Sequence, residues 1–364
     1  MRFILNNQVG YQVNPNDYFD EDYFNEELSN ILNKYWIFLC PESILKKEND
    51  YFVFKGFEKE IVLKRVSDNQ IVSFNNVCMH RGHKLFLDPI GNSETRCQYH
   101  GWLYGGDLAL KNIPWNDKCY HLNKDEVSLE KFCEIRVQDG CVWGYFGKND
   151  SQNALYPASE VSEQLKLFNQ YSSPPFSLTV NKKKFNWKLI FENLYDRVHP
   201  TFLHKNSLNK NFDINFKDYP KDFSVDGVED FVKANIEQIG SQKNQDMNNA
   251  EGGNFPLSGY VNGHIFPFLH FLTPNSGNTF SYESYIPVSK TEVIIYTFWV
   301  SSSLLPASNR ISFLTETLKG ASKVLNEDWD AVESISEVKQ KPKNYYYGAH
   351  EKSFYGLKKL GQKK

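Results

Sequence analysis

Two cysteine–histidine pairs, close together in the chain, restrict its fold more than any other feature. Cys78 and His80 lie in the segment CMHRGHKL, Cys97 and His100 lie in CQYHGWLY, and 16 residues separate the two pairs. The pattern C-x-H followed by C-x-x-H places one thiolate and one imidazole in each of two short segments. It predicts two neighbouring loops that converge on one metal centre.

This ligand set suits a Rieske-type [2Fe–2S] cluster, in which both thiolates bind one iron and both imidazoles bind the other. Neutral imidazoles make such a cluster easier to reduce, with a potential of roughly −150 to +300 mV against about −400 mV for plant-type ferredoxins. The competing interpretation is a structural zinc site, which usually pairs C-x₂₋₄-C with H-x₃₋₅-H. The spacing favours the cluster over zinc, and over four unliganded side chains.

The other cysteines have no ligand spacing. We expect Cys133 and Cys141 to be buried in strands, and neither Cys40 nor Cys119 has a partner of the required spacing. His83 lies close to His80, but two histidines already complete the ligand set, so we expect His83 at the surface or supporting a ligand.

Length and composition allow two domains. The chain has 364 residues, of which 40% are hydrophobic and 15% aromatic, enough for a sizeable core and an apolar pocket. A net charge of −3 gives no indication of nucleic-acid or membrane binding. We find no apolar run of about 18 residues and no signal peptide. Six cysteines favour metal ligands or free thiols over a disulfide framework, so we expect a soluble cytoplasmic protein.

Local patterns divide the chain into segments. Residues 18–38 have apolar residues at helical spacing and predict a helix. Residues 39–148 read as short strands between turns and predict a small all-β domain, and the polar stretch 147–160 predicts a linker. Residues 205–256 are rich in Asn, Lys, Asp and Gln, and we expect connecting loops that form a candidate lid there.

The C-terminal half mixes helices and strands. Residues 187–204 predict a helix with a boundary or kink at Pro200. Two apolar segments joined near Ser289–Thr291 predict a hairpin, and residues 311–338 have apolar residues on one side and predict a further helix.

A second cluster of possible ligands lies in NLYDRVHPTFLH, where Asp196, His199 and His204 form the pattern D-x-x-H-x-x-x-x-H. A mononuclear non-haem Fe(II) site uses two imidazoles and one carboxylate and keeps coordination positions open. The Pro200 break would bring both histidines to one metal ion. Local sequence leaves the carboxylate open between Asp196 and the acidic residues of NEDWDAVES, which are Glu327, Asp328, Asp330 and Glu333.

Taken together, these motifs resemble those of the Rieske non-haem iron ring-hydroxylating oxygenases, and specifically their catalytic α subunits. The resemblance rests on FNEELSNILNKYWIFL, CMHRG with CQYHGWLY, NWKLIFENLYDRVHPTFLH and EDWDAVE, and it extends over nearly the whole chain. It implies an α+β fold with a Rieske domain over 39–150 and a catalytic domain over 151–364, built on an antiparallel sheet flanked by helices. The helical segment 1–38 would pack with the catalytic domain.

The resemblance also implies roles for individual residues. Cys78, His80, Cys97 and His100 would bind the cluster. His199, His204 and Asp328 would bind the mononuclear iron. Asp196 would hydrogen-bond an iron ligand and, across a subunit boundary, a cluster histidine such as His100, and Asn193 would lie near the iron.

The Asn-to-Asp spacing in ENLYDRVH is similar to the homo-oligomeric mono-oxygenase and demethylase branch and implies a homotrimer. Met79 and Val198 depart from the Pro and Tyr that the family often has there.

The resemblance implies a terminal oxygenase that uses O₂ and electrons from a separate NAD(P)H-dependent reductase, with or without a ferredoxin, to oxidise a small organic substrate. The chain itself has no GxGxxG dinucleotide fingerprint. Phe266, Phe268 and His270 are candidate pocket residues, although alternating core residues of a strand would give the same pattern. A non-enzymatic Rieske electron carrier with an interaction domain is the alternative function, and a structural zinc protein is a third.

Overall fold

The computed structural model describes residues 2–5, 8–148, 150–156, 159–196, 198–208, 234–239, 256, 260–348 and 351. The chain forms two compact units. One unit combines Met1–Tyr35 with Leu155–Lys364, and the other is Trp36–Ala154. Among the described residues, no helix has both the length and the apolar character needed to cross a membrane.

Helices and strands are numbered in chain order. The described helices are α1 (Asn16–Phe19), α2 (Glu21–Leu32), α3 (Ser159–Tyr171), α4 (Trp187–Tyr195), α5 (His199–Leu203) and α6 (Arg310–Glu337). The described strands are β1 (Arg2–Leu5), β2 (Gln8–Val13), β3 (Ile37–Pro41), β4 (Asp50–Gly56), β5 (Lys59–Ser67), β6 (Gln70–Asn75), β7 (Ile90–Asn92), β8 (Thr95–Arg96), β9 (Leu103–Tyr104), β10 (Leu110–Asn112), β11 (Glu134–Gln138), β12 (Cys141–Tyr145), β13 (Ser172–Lys183), β14 (Ala234–Ile239), β15 (Tyr260–Ile265), β16 (Leu269–Thr273), β17 (Thr279–Ser289), β18 (Glu292–Ser302) and β19 (Tyr345–Tyr347).

The Trp36–Ala154 unit is a small antiparallel β structure. Its sheets have the strand orders β6-β5-β4-β7, β11-β12-β3 and β10-β9-β8. One of its core clusters contains both predicted cluster cysteines, Cys78 and Cys97, together with Phe74, Trp102 and Tyr104. The loops that carry the cysteines are therefore part of the core of this unit.

The other unit is built on a six-stranded antiparallel sheet with the order β13-β18-β17-β16-β15-β14. Helix α6 packs against β13 and β18, and α4 packs against α6 and β17. The smaller sheet β1-β2-β19 joins the N-terminal segment to a late strand. The two units together confirm the predicted α+β class.

Several predicted elements are confirmed. The hairpin is β17 with β18, and the late helix is α6, Arg310–Glu337. The helix predicted over 18–38 is too long, because α2 ends at Leu32 and Ile37–Pro41 pairs with β12. A short, fully buried apolar run has no period that distinguishes strand from helix.

The loop prediction over 205–256 is wrong for Ala234–Ile239, which pairs with β15 at the edge of the large sheet. Residues 209–233 and 240–255 of that segment lie outside the described residues. The predicted lid therefore remains a prediction.

Candidate metal centres

Two loops of the same backbone design hold the predicted cluster ligands. In each loop the N–H of a glycine donates to the carbonyl of a cysteine four residues earlier, Gly82 to Cys78 at 3.0 Å and Gly101 to Cys97 at 2.9 Å. Both glycines have positive φ, 73° and 74°, a conformation that glycine adopts without steric cost. The CxHRG and CxxHG sequences therefore form turns that direct one Cys and one His side chain from each loop to the same place.

The four predicted ligands meet between these loops. Cys78 and Cys97 are each 2% exposed, and the Nδ1 atoms of His80 and His100 are 3.1 Å apart. Both ring nitrogens are within reach of one metal ion, and the buried thiols form the second pair. This donor set fits a [2Fe–2S] cluster that has its cysteines on one iron and its histidines on the other.

Two aromatic side chains contact two of these ligands. The Tyr104 hydroxyl lies 3.3 Å from Cys78 Sγ and accepts a hydrogen bond from the Met79 N–H. Burial raises the pKa of Tyr104, so the phenol keeps its proton and can donate it to the sulfur. The Trp102 ring stacks on His80, with centroids 4.9 Å apart and an interplanar angle of 11°. Hydrogen bonds to sulfur and shielding from solvent are two of the factors that set a cluster's potential.

The remaining Cys residues lie outside the two ligand loops, whereas the backbone carbonyl of His83 accepts a hydrogen bond from the Cys78 N–H at 2.8 Å. Cys40, Cys133 and Cys141 are buried and Cys119 is exposed, and none of them forms a disulfide within the described part of the chain. As predicted, Cys141 lies in a strand, β12, whereas Cys133 lies one residue before β11. The His83 Nδ1 lies 2.6 Å from the carbonyl of Lys84.

A second group of ligands forms where α4 and α5 meet α6. Helix α4 ends at Tyr195, and α5 begins at His199 with Pro200 in its first turn. This break places His199 and His204 beside Asp328 of α6. Asp328 Oδ1 lies 3.4 Å from His199 Nε2 and 3.1 Å from His204 Nε2. One ligand atom from each residue lies within 4.8 Å of the others, which fits the 2-His-1-carboxylate set of non-haem Fe(II) sites.

The electrostatics of this group favour a carboxylate ligand. Burial raises the pKa of Asp328, but hydrogen bonds from His199 and His204 outweigh burial and lower it to about 2. Burial lowers the pKa of His204, and the interactions with Asp328 and Glu327 outweigh it and raise that pKa. Both shifts have the same cause, the close approach of carboxylates to imidazoles, and the ionised Asp328 can serve as a ligand for a divalent cation.

Glu327 and Ser207 support the second histidine. Glu327 Oε2 lies 2.8 Å from His204 Nδ1 and accepts a hydrogen bond from the Ser207 hydroxyl. A carboxylate on the far ring nitrogen directs the near nitrogen of a histidine to the metal ion. The sequence identifies Glu327 only as one of several acids, and it contains no signal for Ser207.

Asn193 and Asp196 lie next to the triad. Asn193 Nδ2 donates to Asp328 Oδ1 at 2.9 Å. The carbonyl oxygen of Asp196 lies 2.8 Å from His199 Nδ1, while its carboxylate Oδ2 is 3.7 Å away and Oδ1 accepts from the Val198 N–H. The backbone of Asp196, more than its side chain, orients His199 within this chain.

The three predicted pocket residues have different surroundings. Phe266 and Phe268 are buried against Trp187 of α4, at ring-centroid distances of 6.2 and 5.1 Å. His270 lies on β16 and contacts Glu283 of β17. The sequence contains no motif for Glu283, and a signal would have required knowing that its strand pairs with the strand of His270.

A β unit with two cysteine–histidine loops, followed by a unit with a 2-His-1-carboxylate set, defines a protein with a Rieske centre and a mononuclear iron centre. Comparison with known families agrees. Residues 35–132 match the Rieske [2Fe-2S] domain, and residues 163–359, more than half of the chain, match the ring-hydroxylating α subunit catalytic domain. The chain belongs to the family of ring-hydroxylating oxygenase α subunits.

Several proteins share parts of this sequence. The large oxygenase component of the naphthalene 1,2-dioxygenase system of Pseudomonas fluorescens is 31% identical over 202 residues, which is 52% of this chain and 43% of that protein. The α subunit of benzene 1,2-dioxygenase from Pseudomonas putida is 30% identical over 148 residues, 40% of this chain and 32% of that protein. The chain thus spans less than half of the length of these relatives.

Solved structures share the fold. The quaternary ammonium Rieske monooxygenase CntA, in complex with an inhibitor, matches with a TM-score of 0.73 and 18% identity over 98% of this chain and 96% of that chain. Naphthalene 1,2-dioxygenase with bound indole matches with a TM-score of 0.69 and 20% identity over 95% of this chain and 90% of that chain.

Proposed function

We propose that this chain is a terminal oxygenase, which uses O₂ and electrons from a separate reductase to oxidise a small organic substrate. The observation that carries the proposal is the convergence of His199, His204 and Asp328 in a chain that also has a Rieske domain. A Rieske domain alone would serve electron transfer. A second set of iron ligands provides a site at which the transferred electrons would be used to activate O₂.

We assign Cys78, His80, Cys97 and His100 to the cluster and His199, His204 and Asp328 to the mononuclear iron. When bound, the cluster supplies electrons and the iron supplies O₂ activation. The chain's own side chains bind, orient and exclude water around these groups.

Three neighbours hold the iron ligands in place. Glu327 fixes the ring of His204, and Asn193 fixes Asp328 Oδ1. The carbonyl of Asp196 fixes His199 Nδ1. We propose that the Asp196 carboxylate, whose Oδ2 lies 3.7 Å from His199 Nδ1, forms the link to a cluster histidine of a second subunit.

The names of the similar proteins include several classes of organic substrate. The relatives carry the names of naphthalene, benzene and 2,4-dinitrotoluene dioxygenases, and one fold neighbour is described with L-carnitine as its substrate. We therefore propose hydroxylation, demethylation or dihydroxylation of an organic molecule.

The partners follow from this function. An NAD(P)H-dependent reductase, with or without a ferredoxin, would reduce the cluster, and a homotrimer would place the cluster of one subunit beside the iron of the next. We propose a cytoplasmic location because the six cysteines form no disulfide among the described residues, the state that reducing compartments maintain.

Iron and sulfide analysis tests the assignment. We expect about three irons and two acid-labile sulfides per chain, since a [2Fe–2S] cluster and one mononuclear iron add to that count. We also expect a Rieske-type visible and EPR spectrum and NADH-driven O₂ uptake with a surrogate reductase. About two irons without O₂ uptake would instead indicate the electron carrier, and zinc without sulfide would indicate a structural zinc protein.

A further inference from the structure

A set of buried and half-buried polar side chains lies on the sheet side of α4. We call it the polar layer, and it consists of Tyr195, Asn262, His264, His270, Glu283 and Tyr285. Helix α4 presents Asn193 to Asp328 on one side. On another side Phe191 packs on His264 and Tyr285, at ring-centroid distances of 4.5 and 5.5 Å. The polar layer and the iron ligands therefore adjoin the same short helix.

Most of the polar layer is internally hydrogen-bonded. Glu283 Oε2 lies 3.0 Å from His270 Nδ1 and accepts from the Tyr285 hydroxyl at 2.6 Å, while Oε1 accepts from Ser281 at 3.2 Å. His270 Nε2 lies 2.5 Å from Asn262 Oδ1. Both nitrogens of His270 and both oxygens of Glu283 thus have partners within the sheet.

His264 is different. It is 3% exposed and pairs with His270 across β15 and β16. Its Nδ1 is hydrogen-bonded to the Tyr195 hydroxyl, but its Nε2 has no hydrogen-bond partner among the described residues. A buried polar atom without a partner costs about 1–3 kcal/mol of stability, so such an atom needs a partner, which a bound ligand or a water molecule can supply.

The free nitrogen of His264 is a donor. Burial, and then the neighbouring His270, lower the pKa of His264 well below its usual value, so the ring is neutral. Burial raises the pKa of Tyr195, so the phenol keeps its proton, and a phenol O–H is a better donor than a neutral imidazole N–H. Donation from Tyr195 to Nδ1 leaves the ring proton on Nε2.

The surroundings of His264 disfavour a charged ligand group. Glu283 of β17 lies opposite His270 of β16, which in turn lies opposite His264 of β15. The buried carboxylate of Glu283 would repel an anion. That carboxylate accepts three hydrogen bonds within the sheet, from His270, Tyr285 and Ser281. An ammonium group carries donors only, so it could not accept a hydrogen bond from Nε2–H. A neutral oxygen acceptor is the group that pairs with an uncharged N–H donor.

We propose that the Nε2–H of His264 donates a hydrogen bond to an uncharged oxygen of the substrate, a carbonyl or hydroxyl group, and so selects oxygenated substrates over hydrocarbons. This inference rests on the proposed oxygenase function. His264 would act as a specificity-determining residue, and Tyr195 would be a positioning residue that holds the tautomer.

The proposal is tested by measuring the binding of five compounds that share the indane skeleton and differ in one substituent. The iron-loaded protein is titrated calorimetrically with indane, 1-indanone, 1-indanol, 1-aminoindane and indane-1-carboxylate. We expect the ketone and the alcohol to bind about 3- to 10-fold more tightly than indane, the range of one hydrogen bond, and the two charged probes to bind no more tightly than indane. His264→Phe should bring the ketone-to-indane ratio to about 1, and His264→Gln should restore part of it.

Thermal unfolding without any added probe distinguishes a substrate-binding role of His264 from a purely structural role. In Tyr195→Phe/His264→Phe both partners become apolar, and we expect a thermal midpoint within about 2 °C of the wild type or above it. His270→Phe is the matched control, because it removes one hydrogen-bond partner from Glu283 and one from Asn262, and it should lower the midpoint.

The proposal is overturned if the wild type has a ketone-to-indane ratio near 1, if no probe binds, if a charged probe binds most tightly, or if His264→Phe keeps the preference. A fall in the midpoint of the double variant as large as that of His270→Phe also overturns it, because the pair would then be structural. Iron content and NADH-driven O₂ uptake decide the oxygenase function separately.

Discussion

Asp328 is a candidate iron ligand because it lies on the buried face of α6. Asp328 and the neighbouring Trp329 and Val332 are buried, whereas the side chain of Asp330 is 74% exposed. Glu333 is engaged elsewhere, with Lys183 and the N–H of Lys184. Of the acids that the sequence left open in this segment, Asp328 alone among the described side chains reaches both histidines.

Asp196→Asn tests the proposed link between the two centres. Asparagine keeps an oxygen for the Val198 N–H, so we expect both metal centres to stay bound. Loss of the charge should slow turnover about 10- to 100-fold, the usual range for residues outside the ligand shell. Iron content, the EPR spectrum and steady-state O₂ uptake measure this. Asp330→Asn is the control, and near-normal turnover in Asp196→Asn would contradict the role.

Glu327→Gln tests the support of His204. The substitution keeps the size of the side chain but removes the negative charge that polarises Nδ1–H of His204. We expect Fe(II) to bind about 10-fold or more weakly, measured by competition with a chelator. Glu333→Gln removes a charge from the same helix away from the histidines and should leave the affinity within about 2-fold. Equal affinities in both variants would count against the support role.

At the scale of elements, the strand β5 contains a buried lysine with a pH-dependent effect. Lys64 is 4% exposed and donates to the Ser93 carbonyl. Burial lowers its pKa to about 8, even though Glu94, Glu48 and Asp50 act in the opposite direction. The unfolded chain keeps this proton up to about pH 10.4.

Because the unfolded state binds more protons between about pH 8 and 10.4, the contribution of Lys64 to the stability of its unit rises with pH across this window. We expect the midpoint difference between the wild type and Lys64→Met to move in favour of the wild type from pH 8 to 10. Thermal unfolding followed by the cluster absorbance measures it. Lys59→Met, exposed on the same strand, should show no such trend, and an unchanged difference for Lys64→Met would refute the argument.

Two glycines in different elements should respond oppositely to alanine. Gly101 has φ +74°, and a Cβ there would lie 3.0 Å from Pro114, so Gly101→Ala should destabilise its unit by about 1–3 kcal/mol. Gly320 lies in α6, and a Cβ added there would have no described atom within 4 Å, so Gly320→Ala should stabilise by about 0.5–1 kcal/mol. Denaturant unfolding measures both, and effects of the same sign would contradict this account.

At the scale of the whole molecule, electron transfer between subunits predicts complementation. A variant without the cluster, Cys97→Ser, and a variant without the iron, His199→Ala, should each be inactive. If the cluster of one subunit serves the iron of the next, mixed oligomers should recover O₂ uptake with a surrogate reductase. Native mass spectrometry confirms mixing, and mixed oligomers without activity would show that each chain uses only its own centres.

Many structural features of this protein can be predicted from local sequence. The Cys78/His80 and Cys97/His100 pattern needs only short loops, and the turn geometry at Gly82 and Gly101 depends on neighbouring residues. The hairpin β17–β18 and the helix α6 also follow, since their periodicity extends over many residues. The same periodicity did not separate α2 from β3, because Ile37–Pro41 is buried on every side.

The sequence by itself determined which chemistry the chain can hold, because ligand identity and spacing are local properties. Only the tertiary structure decided which acid of α6 meets His199 and His204, since that depends on how helices far apart in the chain pack. It also decided that Glu327 supports His204, and that His264 differs from His270 in lacking a partner, among the described residues, for one ring nitrogen. Hydrogen-bond satisfaction in a buried layer depends on neighbours from several strands, and no local pattern contains that information.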